Sequence, residues 1–160
     1  MSQLKVLALG GMGNVTQNMF VYEYEDEILL VDCGIGFPDS YMPGVDILIP
    51  DIRYLLDALE KGKRIVGLVF THGHDDHEER INDGGITRVV TAVHDSQPVK
   101  ISQFFSVRFI PVTHSVPDTR HLVINTPEGV IYHGSDFKLD PTPVDGVKTD
   151  EALIRQVGTE

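Results

Sequence analysis

A single cysteine, Cys33, is present in the 160-residue chain. No intrachain disulfide is possible, so the fold must rest on its core. A reducing compartment fits that usage, and a cytoplasmic location is the expectation. No apolar run reaches the ~20 residues of a membrane span, and Met1-Ser2-Gln3 opens no signal-peptide pattern. Basic residues are also few, with 13 Lys and Arg against 24 Asp and Glu and a formal net charge of −11. A general nucleic-acid surface draws on clustered Lys and Arg, and here they are scattered. A polyanionic substrate would have to be held locally, by metals and a few cations. Internal repeats and low-complexity tracts are absent.

What is present is ordinary for a globular protein, with 41% apolar and 23% charged residues. The length fits a single domain over residues 1–160. Residues 4–9, 18–24, 28–31 and 65–70 read as strands, as do 86–93, 107–111, 122–125 and 130–132. Pro127-Glu128-Gly129 marks a hairpin between the last two. Asp51 reads as an N-cap for a helix on which Ile52, Leu55, Leu56 and Leu59 repeat, with Gly62 ending it. Thr149 reads as the cap of a short final helix. The pattern is an α/β sheet protein, rich in strand, with loops gathered at strand ends.

One of those loops stands out. His72-Gly73-His74-Asp75-Asp76-His77 places five ligand-type side chains in six residues. Imidazole nitrogen and carboxylate oxygen bind zinc and similar borderline metals. The simpler alternative, a solvated turn rich in histidine, does not account for that density. Two further ligand types follow apolar strands, His114 in Thr113-His114-Ser115 and Asp136 in Gly134-Ser135-Asp136. Strand ends can meet at one rim, so these segments are candidates for one site. His72, His74, Asp76, His77, His114 and Asp136 are too many for one ion and about right for two. A carboxylate can bridge two cations, and Asp136 suits that place. Paired metals acidify water and stabilise both oxygens of a displacement, which implies hydrolysis. Zinc is expected from the mainly imidazole donors, with manganese the alternative.

The His72–His77 segment resembles the HxHxDH signature of the metallo-β-lactamase superfamily. Within it the chain is similar to the ribonuclease J group. Gly10-Gly11-Met12-Gly13 with Asn18 resembles that group's opening turn, and Gly44-Val45-Asp46-Ile47-Leu48-Ile49-Pro50-Asp51 the loop after its second motif strand. His114-Ser115-Val116-Pro117-Asp118 and His133-Gly134-Ser135-Asp136-Phe137-Lys138 resemble its third and fourth metal motifs. The resemblance implies a metallo-β-lactamase-like αββα sandwich, shortened to a β-rich first half, with two zinc ions and an RNA substrate hydrolysed at its phosphodiester bonds. By that analogy His72, His74 and His114 hold one metal, Asp76 and His77 the other, and Asp136 bridges. Asp76 and Asp136 then carry the catalytic roles. Asp32 resembles a supporting aspartate that orients a ligand histidine. His133 lies near the site by sequence, as a supporting group or a plain structural contact.

The chain departs from the family in two ways. Glu78-Glu79-Arg80 runs quickly into Gly84-Gly85, where the family continues with a helix and strand. The family's inserted β-CASP domain and second half would lie beyond Glu160, so the partial domain is expected to pair with itself as a homodimer or larger. Other metallo-β-lactamase-fold hydrolysis, of a β-lactam, thioester or lactone, is the alternative reading, as is metal binding without turnover. Among the remaining residues, His94 and His121 read as ordinary surface or strand contacts and Cys33 as a small apolar residue. Lys138 reads as a phosphate contact or a solvated cation. Gly10–Gly13 reads as a turn, since no P-loop lysine follows.

Overall fold

The computed structural model describes residues 2–13, 15–74, 92–93 and 95–159. Asp76, His77 and His94, and nearly all of the strand expected at 86–93, lie outside these residues. The chain divides into two compact units, one over Met1–Phe70 and His74–Gly84, the other over Thr71–Gly73 and Gly85–Glu160.

The first unit carries β1 (Lys5–Gly10), β2 (Met19–Tyr24), β3 (Glu27–Val31), α1 (Arg53–Glu60) and β4 (Arg64–Val69). The sheet order follows the chain, β1-β2-β3-β4. The β1–β2 and β2–β3 pairs are antiparallel. The β3–β4 pair is parallel, with α1 in the crossover between them. All five residues of β3 are buried, which is why Ile28-Leu29-Leu30-Val31 reads as an unbroken apolar run rather than an alternation. Met19, Val21, Ile28 and Leu30 form the core with Leu55 and Ala58 of α1.

Helix α1 corrects two expectations. Its buried residues are Leu55 and Ala58, whereas Leu56 and Leu59 are exposed. The eight-residue helix turns a narrow face to the sheet, and small Ala58 completes it where Leu59 was expected. The N-cap is Ile52 rather than Asp51, although an Asp51 carboxylate oxygen accepts the Arg53 backbone N–H at 3.0 Å. The C-terminus is as read. Gly62 adopts φ 85°. Its N–H reaches the Leu59 carbonyl at 2.9 Å, and the Lys63 N–H reaches that of Ala58 at 3.0 Å. This is the paired closure that a left-handed glycine permits.

Glu23 is a buried charge on β2. Lys5, its cross-strand partner, donates at 2.8 Å, Lys63 at 2.7 Å and the Tyr54 hydroxyl at 2.7 Å. Burial alone would push its pKa up. The three donors outweigh that and bring it down to about 2.

The second unit is an antiparallel meander of β5 (Val99–Lys100), β6 (Ser106–Pro111), β7 (Arg120–Thr126) and β8 (Gly129–His133), followed by α2 (Glu151–Val157). The β7–β8 hairpin closes where expected, with Thr126 opposite Gly129. Gly129 has φ 139°, a conformation that disfavours a side chain. Ile110 and Val123 of the sheet pack with Leu153, Ile154 and Val157 of α2. The cap of α2 is Asp150, whose carboxylate accepts the Leu153 N–H at 2.9 Å. Thr149, the residue expected there, instead accepts the Thr113 N–H at 3.0 Å. His121 of β7 is buried, with Nδ1 2.8 Å from the Tyr132 hydroxyl and Nε2 3.2 Å from the Ser135 carbonyl. Burial lowers its pKa below the ordinary 6.5, against a smaller opposing pull from the Ser135 carbonyl.

These two groups predict acid sensitivity in two windows. His121 binds its proton more weakly folded than unfolded, so stability should fall as pH drops below 6.5. Glu23 has the same sign, because its folded pKa is also lowered. Its contribution is full above 4.5 and lost as pH falls towards about 2. Urea unfolding from pH 7.5 down to 3 should show both losses. His121→Gln should flatten the upper window, and Glu23→Gln the lower one at a cost on the order of 2 kcal/mol at pH 7. Unchanged slopes in the two variants would contradict these assignments.

Candidate metal centre

Three short segments build the site. Thr71–His74 follows β4, Thr113-His114 follows β6, and Gly134-Ser135-Asp136 follows β8. Each follows within two residues of a strand that is held in its sheet ladder, which fixes where the polar end emerges. Hydrogen bonds then clip the segments together within the second unit. The Arg120 N–H at the start of β7 reaches the Thr71 carbonyl at 2.8 Å. The Thr113 carbonyl accepts the Lys138 N–H at 2.6 Å, and its hydroxyl donates to the Lys138 carbonyl. The Ser135 hydroxyl donates to Thr71 Oγ1 at 2.9 Å.

The outcome is a convergence of donors. One ligand-type atom from each of His72, His74, His114 and Asp136 lies within 4.8 Å of all the others. His72 and His114 meet edge to face with ring centroids 5.0 Å apart. His114 Nε2 stands 3.6 Å from a carboxylate oxygen of Asp136. His72 is 4% exposed, whereas the Asp136 side chain is 52% exposed. The cluster therefore has a buried side formed by imidazole and an open side formed by a carboxylate. His72 Nδ1 lies 3.0 Å from Thr71 Oγ1 and 3.5 Å from Ser135 Oγ.

The donor set suits a divalent cation. Three imidazoles and one carboxylate are the ligand types of zinc sites, and a single ion takes about four. Four of the six ligand candidates read from the sequence are thus together, and Asp76 and His77 are outside the described residues.

The remaining expected residues are placed as follows. Asp32 is buried at the end of β3, in the left-handed region with φ 58°, and its N–H reaches the Val69 carbonyl at 2.9 Å. Its charge, after burial, helps push the Tyr22 hydroxyl up to about 12. His133 is buried at the end of β8, paired with Leu122. Neither belongs to the four-residue cluster. Cys33 is half-buried against the first core, as expected of a small apolar residue. His121 makes the strand contacts expected of it, but from a buried position. Thr71, Thr113 and Ser135 were not singled out from sequence. The available signal was a hydroxyl beside each ligand candidate, in Thr71-His72, Thr113-His114 and Ser135-Asp136.

Among the described residues no helix is long and apolar enough to cross a membrane.

Comparison with known proteins agrees with this geometry. Residues 12–77 match the family model described as the metallo-beta-lactamase superfamily. The chain is 36% identical to ribonuclease J of Synechocystis over 97% of its own length and 28% of the relative's. Against ribonuclease J of Corynebacterium glutamicum the identity is 38%, over 98% of this chain and 25% of the relative. Against that of Thermus thermophilus it is 33%, over 98% and 33%. The chain thus spans about a quarter to a third of the curated relatives it matches. Among solved structures, a protein of unknown function from Enterococcus faecalis V583 superposes with a TM-score of 0.65, at 17% identity over 87% of this chain and 44% of the other. That likeness speaks for the fold alone. The fold is the expected β-rich α/β fold of metallo-β-lactamase type, residues 12–77 carry the match to that superfamily, and the sequence is similar to ribonuclease J along nearly its whole length.

Proposed function

We propose that this chain is a metal-dependent hydrolase of RNA phosphodiester bonds, with zinc held by His72, His74, His114 and Asp136. The convergence of those four donors within 4.8 Å carries the reading. The ribonuclease J relatives supply the substrate class. By the same resemblance Asp76 and His77 would hold a second ion together with Asp136, and Asp76 and Asp136 would carry the catalytic roles. Asp32 and His133 keep the supporting roles that the resemblance implies. A bound divalent cation supplies acidified water and charge stabilisation on the phosphoryl oxygens. The protein's own part is positional. His72 is buried and locked by hydroxyls, while the open Asp136 side faces arriving substrate. Exposed Lys138, two residues further on and bridged to Thr113, is the local cation for a phosphate in an otherwise acidic chain.

Purified protein should cleave 5′-labelled single-stranded RNA in added zinc or manganese and stop on chelation. His74→Ala should remove activity. His94→Ala, at a residue read from sequence as an ordinary contact, should leave it nearly unchanged. A protein that hydrolyses a chromogenic β-lactam and leaves RNA intact would replace the substrate assignment. Metal uptake with no turnover on either would remove the enzymatic one.

Self-association belongs to the same proposal. Among the described residues β8 is an edge strand of its four-stranded sheet, and Val130 and Tyr132 along it are 48% and 39% exposed. An apolar edge with unpaired backbone groups favours pairing with another strand, and a symmetric dimer is the commonest closed form. Light scattering at micromolar concentration should give a dimer or larger. A stable monomer would contradict this.

A further inference from the structure

We propose that Ser135 is a positioning residue for the donor cluster, setting His72 through its hydroxyl and Asp136 through its anchored backbone. This rests on the metal-binding reading above. Ser135 is half-buried between two fixed partners. Its hydroxyl donates to Thr71 Oγ1 at 2.9 Å and lies 3.5 Å from His72 Nδ1. Thr71 Oγ1 is itself 3.0 Å from that nitrogen. On the other side, the Ser135 carbonyl lies 3.2 Å from His121 Nε2.

The proton placement follows from what each atom can do. A carbonyl only accepts, so His121 carries its proton on Nε2 and donates it to Ser135. His121 Nδ1 then accepts from the Tyr132 hydroxyl at 2.8 Å. The His121 ring is further held edge-on between Tyr132 and Phe137, with centroids 5.5 Å from each. That fixes the backbone one residue before Asp136, whose carboxylate lies 3.6 Å from His114. For His72 to ligate through Nε2, its Nδ1 must carry the proton, and the Thr71 and Ser135 oxygens are the acceptors in reach. His72 is 4% exposed, so water is poorly placed to replace them. One serine therefore ties the orientation of a buried imidazole to the place of an exposed carboxylate.

The test uses cobalt(II) as the probe, read by its visible absorption bands and titrated into chelator-treated full-length protein. Removing a group that orients a metal-bound histidine weakens affinity by about 10- to 100-fold. Ser135→Ala should weaken cobalt binding by about tenfold or more and shift the bands, while urea stability without metal stays as in the unsubstituted protein. Ser135→Thr, which keeps the hydroxyl, should restore most of the affinity. Thr71→Val should also weaken binding, and the double variant should lose less than the two single losses combined. Ser135→Ala binding cobalt as tightly as the unsubstituted protein would overturn the inference alone. So would a Ser135→Thr variant as weak as the alanine one, since the hydroxyl would then be irrelevant. An unsubstituted protein with no cobalt bands would overturn the metal reading and this inference with it.

Discussion

The hydrogen bond from the Arg120 N–H to the Thr71 carbonyl ties two distant parts of the sequence at the point where the site begins. Thr71 precedes the first ligand candidate, and Arg120 opens β7, the strand at the centre of the meander. Placing Thr71 there brings its hydroxyl to Ser135 and its neighbour His72 to His114. The remaining clips, Thr113 with Lys138 and Ser135 with His121, act on the same few ångströms. None is strong alone, since a single hydrogen bond contributes about 1 kcal/mol net. Their effect is geometric, because each fixes the end of a strand whose other residues are already held in a sheet ladder.

Two buried polar groups show how the units tolerate charge and polarity inside. Glu23 stays ionised because three donors reach it. His121 is held towards its neutral form by burial, with one nitrogen on a hydroxyl and the other on a carbonyl. Both follow the rule that buried polar groups persist only when satisfied. They also differ in what they serve. Glu23 joins β2 to α1 and the start of β4, whereas His121 holds the loop that carries Asp136.

Among the described residues, the strands other than β5 were legible in the sequence because they depend on local pattern. Ile28 to Val31 is buried on both faces and reads as a run, and the Pro127-Glu128-Gly129 turn closes the hairpin as its chemistry requires. His72 and His74 stood out by composition alone. What escaped depends on tertiary context. Leu55 is buried as read, but Ala58 joins it in place of Leu56 and Leu59, because the orientation of a short helix is set by the strands beneath it. Thr149 and Asp150 are both good caps, and the choice fell to Asp150 because Thr149 is drawn to Thr113. Thr71 and Ser135 carry no local signal beyond adjacency to a ligand. The comparison with relatives adds one feature. The matches extend over 182 to 190 residues against a chain of 160, so the relatives hold residues within the matched region that this chain lacks. The quick passage from Glu78-Glu79-Arg80 to Gly84-Gly85 is where the sequence itself marks such a shortening.

The central claim is that imidazoles from strand-end loops and one open carboxylate form a metal centre. Calorimetric titration of zinc into chelator-treated protein tests it most directly. The account predicts saturable binding of at least one equivalent, lost in His114→Ala while the far-ultraviolet circular dichroism is retained. No saturable binding by folded protein, or equal binding by that variant, would contradict it.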